Sequence, residues 1–110
     1  MQIAIDVVTD EFDRSVLSVR GAIDLQTRDE LLRVAKQALA DGTPALVLDL
    51  EGVGFIESTG IGALVELGHD AEDVDAGLVL RRPSDRVLRI LQLTGLTEAW
   101  TLEHDPSLGR

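Results

Sequence analysis

The chain contains no cysteine, which excludes disulfides, thiolate metal sites and cysteine catalysis. No apolar run approaches the roughly 20 residues that a membrane-spanning helix needs. The N-terminus, Met1-Gln2-Ile3-Ala4-Ile5-Asp6, lacks the basic start and long apolar segment of a secretory signal, so a cytoplasmic location is expected. Positive charge is scarce: 10 basic residues face 20 acidic ones, a formal net charge of −10. Nucleic acid, whose phosphates call for a basic surface, is therefore not an expected partner. Anionic lipid headgroups would be repelled, so no membrane association is expected either. A protein partner with a basic patch would instead be attracted.

Catalytic and nucleotide-binding signatures are also missing. Gly60-Ile61-Gly62 follows a strand pattern, but Val65 stands where a dinucleotide-binding fingerprint needs its third glycine. There is no Gly-Lys-Ser/Thr phosphate loop. A hydrolase built on Ser58 would need a Gly-x-Ser-x-Gly elbow and a histidine base. The residues before Ser58 are Phe55-Ile56-Glu57, and the two histidines, His69 and His104, fall in polar segments where surface positions are expected. Asp70, Glu72, Asp73 and Asp75 lack the glycine and distal glutamate of a calcium loop. No cofactor, no metal site and no enzymatic activity are expected.

What remains is an ordinary soluble composition, 45% hydrophobic and 27% charged over 110 residues, enough for one domain with a core of its own. Ile3, Ile5 and Val7 alternate with smaller or polar residues, as do Leu17 and Val19 after the polar turn at Asp10-Glu11-Phe12-Asp13, which predicts a hairpin broken at Gly21. Asp24 is placed as an N-cap before a helix with Leu31, Leu32, Ala35, Ala38 and Leu39 on one face, ended by Asp41-Gly42. A third strand is expected over Ala45 to Leu50, and a second helix from about Thr59 to Gly68 with Ile61, Leu64, Val65 and Gly68 inward. An acidic connection, Asp70 to Gly77, leads to a short strand, Leu78-Val79-Leu80. A third helix starts around Arg82-Pro83-Ser84-Asp85 and turns Val87, Leu88, Ile90 and Leu91 inward, with Gly95 as its left-handed terminator. Ala99 to Leu102 form a last strand, and residues 105–110 a frayed tail after a domain spanning 1–104. Trp100 and Phe55 are expected in the core. Asp49 and Glu51 are expected to play a structural role on the sheet face opposite Leu50, and Arg81, Arg82, Arg86 and Arg89 to pair with the protein's own acids. The class is α/β, a mixed β-sheet covered by helices in the order β-β-α-β-α-β-α-β.

The stretch from Leu46 to Gly68, LVLDLEGVGFIESTGIGALVELG, is the most informative. Two hydroxyls, Ser58 and Thr59, meet a string of backbone amides where a strand hands over to a helix. The first four amides of a helix lack internal partners and the dipole is positive there, so negative charge is tolerated. Read without reference to any family, the two hydroxyls are most simply helix caps, the commonest use of such residues.

Three separated segments resemble a STAS domain of the anti-sigma factor antagonist type: Glu57-Ser58-Thr59-Gly60-Ile61-Gly62, Gly21-Ala22-Ile23-Asp24 with Thr27, and Arg89-Ile90-Leu91-Gln92-Leu93-Thr94-Gly95-Leu96. Where the family pattern commonly has aspartate before its serine and a second serine after it, this chain has Glu57 and Thr59, which conserve charge and hydroxyl. The resemblance implies a single STAS domain that binds an anti-sigma factor serine kinase and so releases a sigma factor. It implies phosphorylation at Ser58, alternatively Thr59, which weakens that complex, and a serine phosphatase that restores it. Asp24, Glu57, Ser58, Thr59, Gly60, Ile61 and Gly62 are the implied partner-binding residues, and a monomer is expected. The alternative is a STAS adaptor or scaffold subunit in a sensory or transporter assembly without a sigma factor; a small hydrolase is a third and weaker one.

Overall fold

The computed structural model describes residues 2–96 and 99–103. Its elements are β1 (Ile3–Thr9), β2 (Ser15–Ile23), α1 (Arg28–Ala40), β3 (Ala45–Ile56), α2 (Ser58–Asp73), β4 (Gly77–Arg81), α3 (Asp85–Leu93) and β5 (Thr101–Glu103). The strands form one sheet in the order β1-β2-β3-β4-β5. β1 runs antiparallel to β2, with Ile3 opposite Gly21, and all later pairs are parallel. Three successive crossovers that step the same way along a sheet, all of the usual right hand, deliver their helices to one face. Leu17, Val19, Leu46, Leu48, Leu50, Leu78 and Leu80 meet Leu31 and Ala35 of α1, Leu64 and Leu67 of α2, and Val87 and Leu91 of α3 there in one continuous core.

The other face of the sheet is finished differently. Val16, Val47 and Val79 form a separate small buried cluster. Arg14, the residue before β2, pairs with Asp10 at 2.7 Å and with Glu103 of β5 at 3.3 Å, reaching past β3 and β4. Its guanidinium stands 5.4 Å from the Phe12 ring centroid. Burial works against the Asp10 carboxylate, but hydrogen bonds from the Arg14 backbone and side chain and the Phe12 amide outweigh it and hold that carboxyl below the usual range. Arg81 joins Glu103 at 2.6 Å. Asp49, only 6% exposed, accepts from Arg82, which also pairs with Glu51 at 2.7 Å. Arg81 and Arg82 thus pair with the protein's own acids, whereas Arg86 and Arg89 are exposed and make no ion pair with a described residue.

Several expected boundaries move. Gly21 does not end β2: it sits at a register shift with φ of +111°, a bulge that the strand passes through. β3 runs six residues beyond its expected end at Leu50, to Ile56, and this added stretch pairs with the end of β2. Gly52 is there because a Cβ would come within 2.7 Å of Arg20 Cγ on β2. α2 continues through the acidic residues to Asp73, because Ala71 prolongs its buried stripe and Lys36 of α1 pairs with Glu66 and Asp70. Val65 and Gly68 are half-buried rather than central, while Leu67 is fully buried. Phe55 is likewise half-buried, not core, and Trp100 is half-buried against Gly68. β5 is shorter and later than expected. Ser84 caps α3 by accepting from the Val87 amide, and Gly95, at φ of +74°, ends it as its sequence position suggested. The expected tail lies outside the described residues, as does His104; His69 is exposed on α2.

Candidate functional site

Two segments meet at the carboxyl end of the parallel strands: the link from β2 to α1 and the mouth of α2. The Glu57 amide donates to the Ile23 carbonyl at 3.2 Å, and the Ile61 amide closes the first helical bond onto the Glu57 carbonyl at 2.9 Å. Ser58 is the first residue of α2 and is exposed, Thr59 is half-buried, Gly60 and Ile61 are buried, and Gly62 is exposed again.

Gly60 is dictated by packing. A Cβ on it would lie 2.8 Å from both Ile23 Cγ2 and Ile56 Cγ1, and nearer still to the Ile23 carbonyl oxygen. The helix can start this close to β2 only without a side chain. A Cβ on Gly62 would meet nothing within 4 Å, so nothing in the described fold requires glycine there.

Asp24 does not cap α1. The helix begins at Arg28, after a turn, with Thr27 in the cap position. Asp24 Oδ1 instead accepts from the Gln26 and Thr27 amides at 2.9 and 3.0 Å, and its own amide donates to Thr27 Oγ1 at 3.0 Å. Thr27 in turn donates to the Ala22 carbonyl at 2.6 Å. This buried knot fixes the loop and leaves Leu25 67% exposed.

Glu57 stands at the cap position of α2 but its side chain does not cap. Its Oε1 accepts from the Leu25 amide at 3.1 Å and from the Thr59 hydroxyl at 2.7 Å. The two hydroxyls therefore differ: that of Thr59 is engaged with a carboxylate, and that of Ser58 makes no hydrogen bond with a described residue. The structure thus brings all seven candidate residues to one corner, with Asp24, Gly60 and Ile61 beneath the surface and Ser58, Thr59, Glu57 and Gly62 reaching it. The sequence reading missed Leu25 and the tie from Glu57 to its amide. A 32-residue separation hides that tie from any local pattern. Among the described residues no cluster of three or more His, Asp or Glu side chains is arranged to hold a metal ion.

This fold and this corner define a STAS domain. The family described as Mlab, STAS domain matches residues 7–103, and the chain belongs to it, within the anti-sigma factor antagonist group. An anti-sigma-B factor antagonist of Staphylococcus aureus is 33% identical over 82 residues, 74% of this chain and 76% of the relative. The crystal structure of an anti-sigma factor antagonist from Mycobacterium paratuberculosis is 35% identical with a TM-score of 0.76, covering 93% of this chain and 86% of that one. The anti-sigma factor antagonist SpoIIAA in its unphosphorylated form shares the fold at a TM-score of 0.78 and 18% identity, over 96% of this chain and 92% of that one. The phosphorylated form of SpoIIAA, a Bacillus cell fate determinant, matches at 0.72 and 18% identity, over 96% of each chain.

Proposed function

We propose that this chain is a phosphorylation-switched anti-sigma factor antagonist. It docks on an anti-sigma factor that is also a serine kinase, which frees a sigma factor, and it loses that grip when Ser58 is phosphorylated. The observation that carries this reading is Ser58, exposed and with no hydrogen bond from its hydroxyl to a described residue, at the mouth of α2, in the segment that resembles the family's serine motif. Relatives named anti-sigma-B factor antagonist and the two forms of SpoIIAA support it.

The chain is substrate and ligand, not catalyst. Ser58 Oγ attacks the γ-phosphorus of ATP as the bond to the β–γ bridging oxygen breaks. ADP leaves, and the hydroxyl proton passes to a base of the kinase. Phosphorylation adds about −1.5 to −2 of charge. The helix dipole offsets that within the fold by about 0.3–1 kcal/mol. A docked partner would have to desolvate the dianion beside Glu57, and that is where the complex fails. Asp24, Gly60 and Ile61 shape the surface from below, and Glu57, Thr59 and Gly62 flank the docked kinase. A phosphatase of phosphoserine resets the switch, and the domain acts as a cytoplasmic monomer without a cofactor.

The test is incubation with each anti-sigma serine kinase of the source genome and ATP–Mg²⁺, with mass mapping of residues 53–68. One added phosphoryl group at Ser58, loss of the complex with Ser58→Asp, and an unmodifiable but binding-competent Ser58→Ala protein are the expected results. Binding without modification at either hydroxyl would favour the adaptor reading.

A further inference from the structure

Aspartate or serine at a helix N-cap bends back to accept from the second or third helical amide. Glu57, one methylene longer than aspartate, does not. Its Oε1 reaches the Leu25 amide of a separate loop at 3.1 Å and the Thr59 hydroxyl at 2.7 Å. We infer that Glu57 is the specificity-determining residue of this site: by engaging the Thr59 hydroxyl and tying the β2–α1 loop beside it, Glu57 confines phosphoryl transfer to Ser58. The inference rests on the kinase-substrate reading above and concerns this chain's choice between two neighbouring hydroxyls.

The physical reason is charge and geometry together. An attacking oxygen must come within about 3–3.5 Å of the phosphorus it attacks. For Thr59 that brings the anionic oxygens of the γ-phosphoryl group toward a carboxylate already 2.7 Å from the same hydroxyl, in a half-buried position where like charges are poorly screened. The hydroxyl must also break a charge-assisted hydrogen bond before its proton can pass to the kinase. Ser58 has no such bond to break: it is exposed and its hydroxyl donates to no described residue. The tie to Leu25 adds position. Glu57 cannot swing away from Thr59 without also releasing the Leu25 amide, whose loop is pinned from the other side by Asp24 and Thr27.

The experiment compares three proteins under the same kinase and ATP–Mg²⁺: Ser58→Ala, Ser58→Ala/Glu57→Ala and Ser58→Ala/Glu57→Gln, each mapped by mass spectrometry for phosphate on Thr59. Ser58→Ala is expected to stay unmodified. Replacing Glu57 with alanine is expected to bring Thr59 phosphorylation from below detection to at least about tenfold above that threshold, the factor that corresponds to about 1.4 kcal/mol for one lost hydrogen-bonded charge. The glutamine variant keeps the acceptor and the tie to Leu25 and removes only the charge, so it is expected to raise Thr59 phosphorylation by a smaller factor, and no rise in it overturns the inference should the alanine variant fail to fold. Faster hydrogen exchange at the Leu25 amide in the alanine variant reports that the tie has been cut. Thr59 phosphorylation that stays absent in a folded variant with a fast-exchanging Leu25 amide overturns the inference. So does Thr59 phosphorylation already present in Ser58→Ala alone. Wild type left unmodified at both hydroxyls by every kinase overturns the switch reading itself, which separates the two failures.

Discussion

Two glycines two residues apart in α2 are expected to respond in opposite ways to the same substitution. Alanine is favoured over glycine in a helix interior by about 1 kcal/mol. At Gly62 nothing opposes that gain, because the new methyl meets no atom within 4 Å, and Gly62→Ala should stabilise the protein by about 0.5–1 kcal/mol. At Gly60 the methyl would lie 2.8 Å from Ile23 Cγ2 and from Ile56 Cγ1. The side chains could shift a little, but the Ile23 carbonyl cannot, since it accepts from the Glu57 amide at 3.2 Å. Overpacking of this kind costs about 1–3 kcal/mol and here meets fixed backbone, so after the helix-propensity gain Gly60→Ala should lose about 1–2 kcal/mol. Near this chain length each kcal/mol moves the thermal midpoint by about 4–8 °C. Urea unfolding followed by circular dichroism and by Trp100 fluorescence measures both variants against wild type. A Gly60→Ala protein as stable as wild type, or a Gly62→Ala protein equally damaged, would refute the close-approach argument.

Phosphorylation at Ser58 should change amide shifts only over residues 24–27 and 57–62 and leave global stability within about 1 kcal/mol, since the helix mouth accommodates the charge; a rearranged sheet in the phosphoprotein would contradict this. Arg82→Ala leaves the buried Asp49 carboxylate without its cation and should cost about 1–3 kcal/mol in urea unfolding, part of which an added Asp49→Ala change should recover. The Lys36 ammonium, 2.5 Å away, holds the Glu66 carboxyl below the usual glutamate range, with burial opposing and Arg28 assisting. A depressed folded-state pKa contributes stability above the unfolded value, and that contribution is lost as pH falls through the folded one. The stability gap between wild type and Lys36→Met should therefore narrow as the medium is acidified below the ordinary glutamate pKa of about 4.3, as read from denaturation at stepped pH.

The order of elements was legible because hydrophobic periodicity is local: Leu31, Leu32, Ala35, Ala38 and Leu39 declare α1, and Leu46, Leu48 and Leu50 declare β3, without help from the rest of the chain. The second half of β3 was not legible. Gly52 and Gly54 look like turn residues in isolation, and only the approach of Arg20 on the neighbouring strand shows why Gly52 belongs in a strand. The end of α2 was hidden in the same way. Asp70, Glu72 and Asp73 have a loop's composition, yet Ala71 packs into the core and Lys36 lies beside Asp70 on a different helix. At the site, the hydroxyl pair and its glycines were readable. Their inequality was not: whether a hydroxyl is exposed or engaged depends on where Glu57 points, and that depends on a loop 32 residues upstream. The Arg14 bridge to Glu103 spans 89 residues and has no sequence signature at all.

The antiparallel first strand has a practical consequence. Because Ile3 lies opposite Gly21 and the Ala22 amide donates to the Gln2 carbonyl, β1 starts at the carboxyl end of the parallel strands, the end of the sheet at which α2 begins. An affinity tag or reporter placed there shares that end of the sheet with the serine under study. Binding and modification are therefore best measured with the tag cleaved.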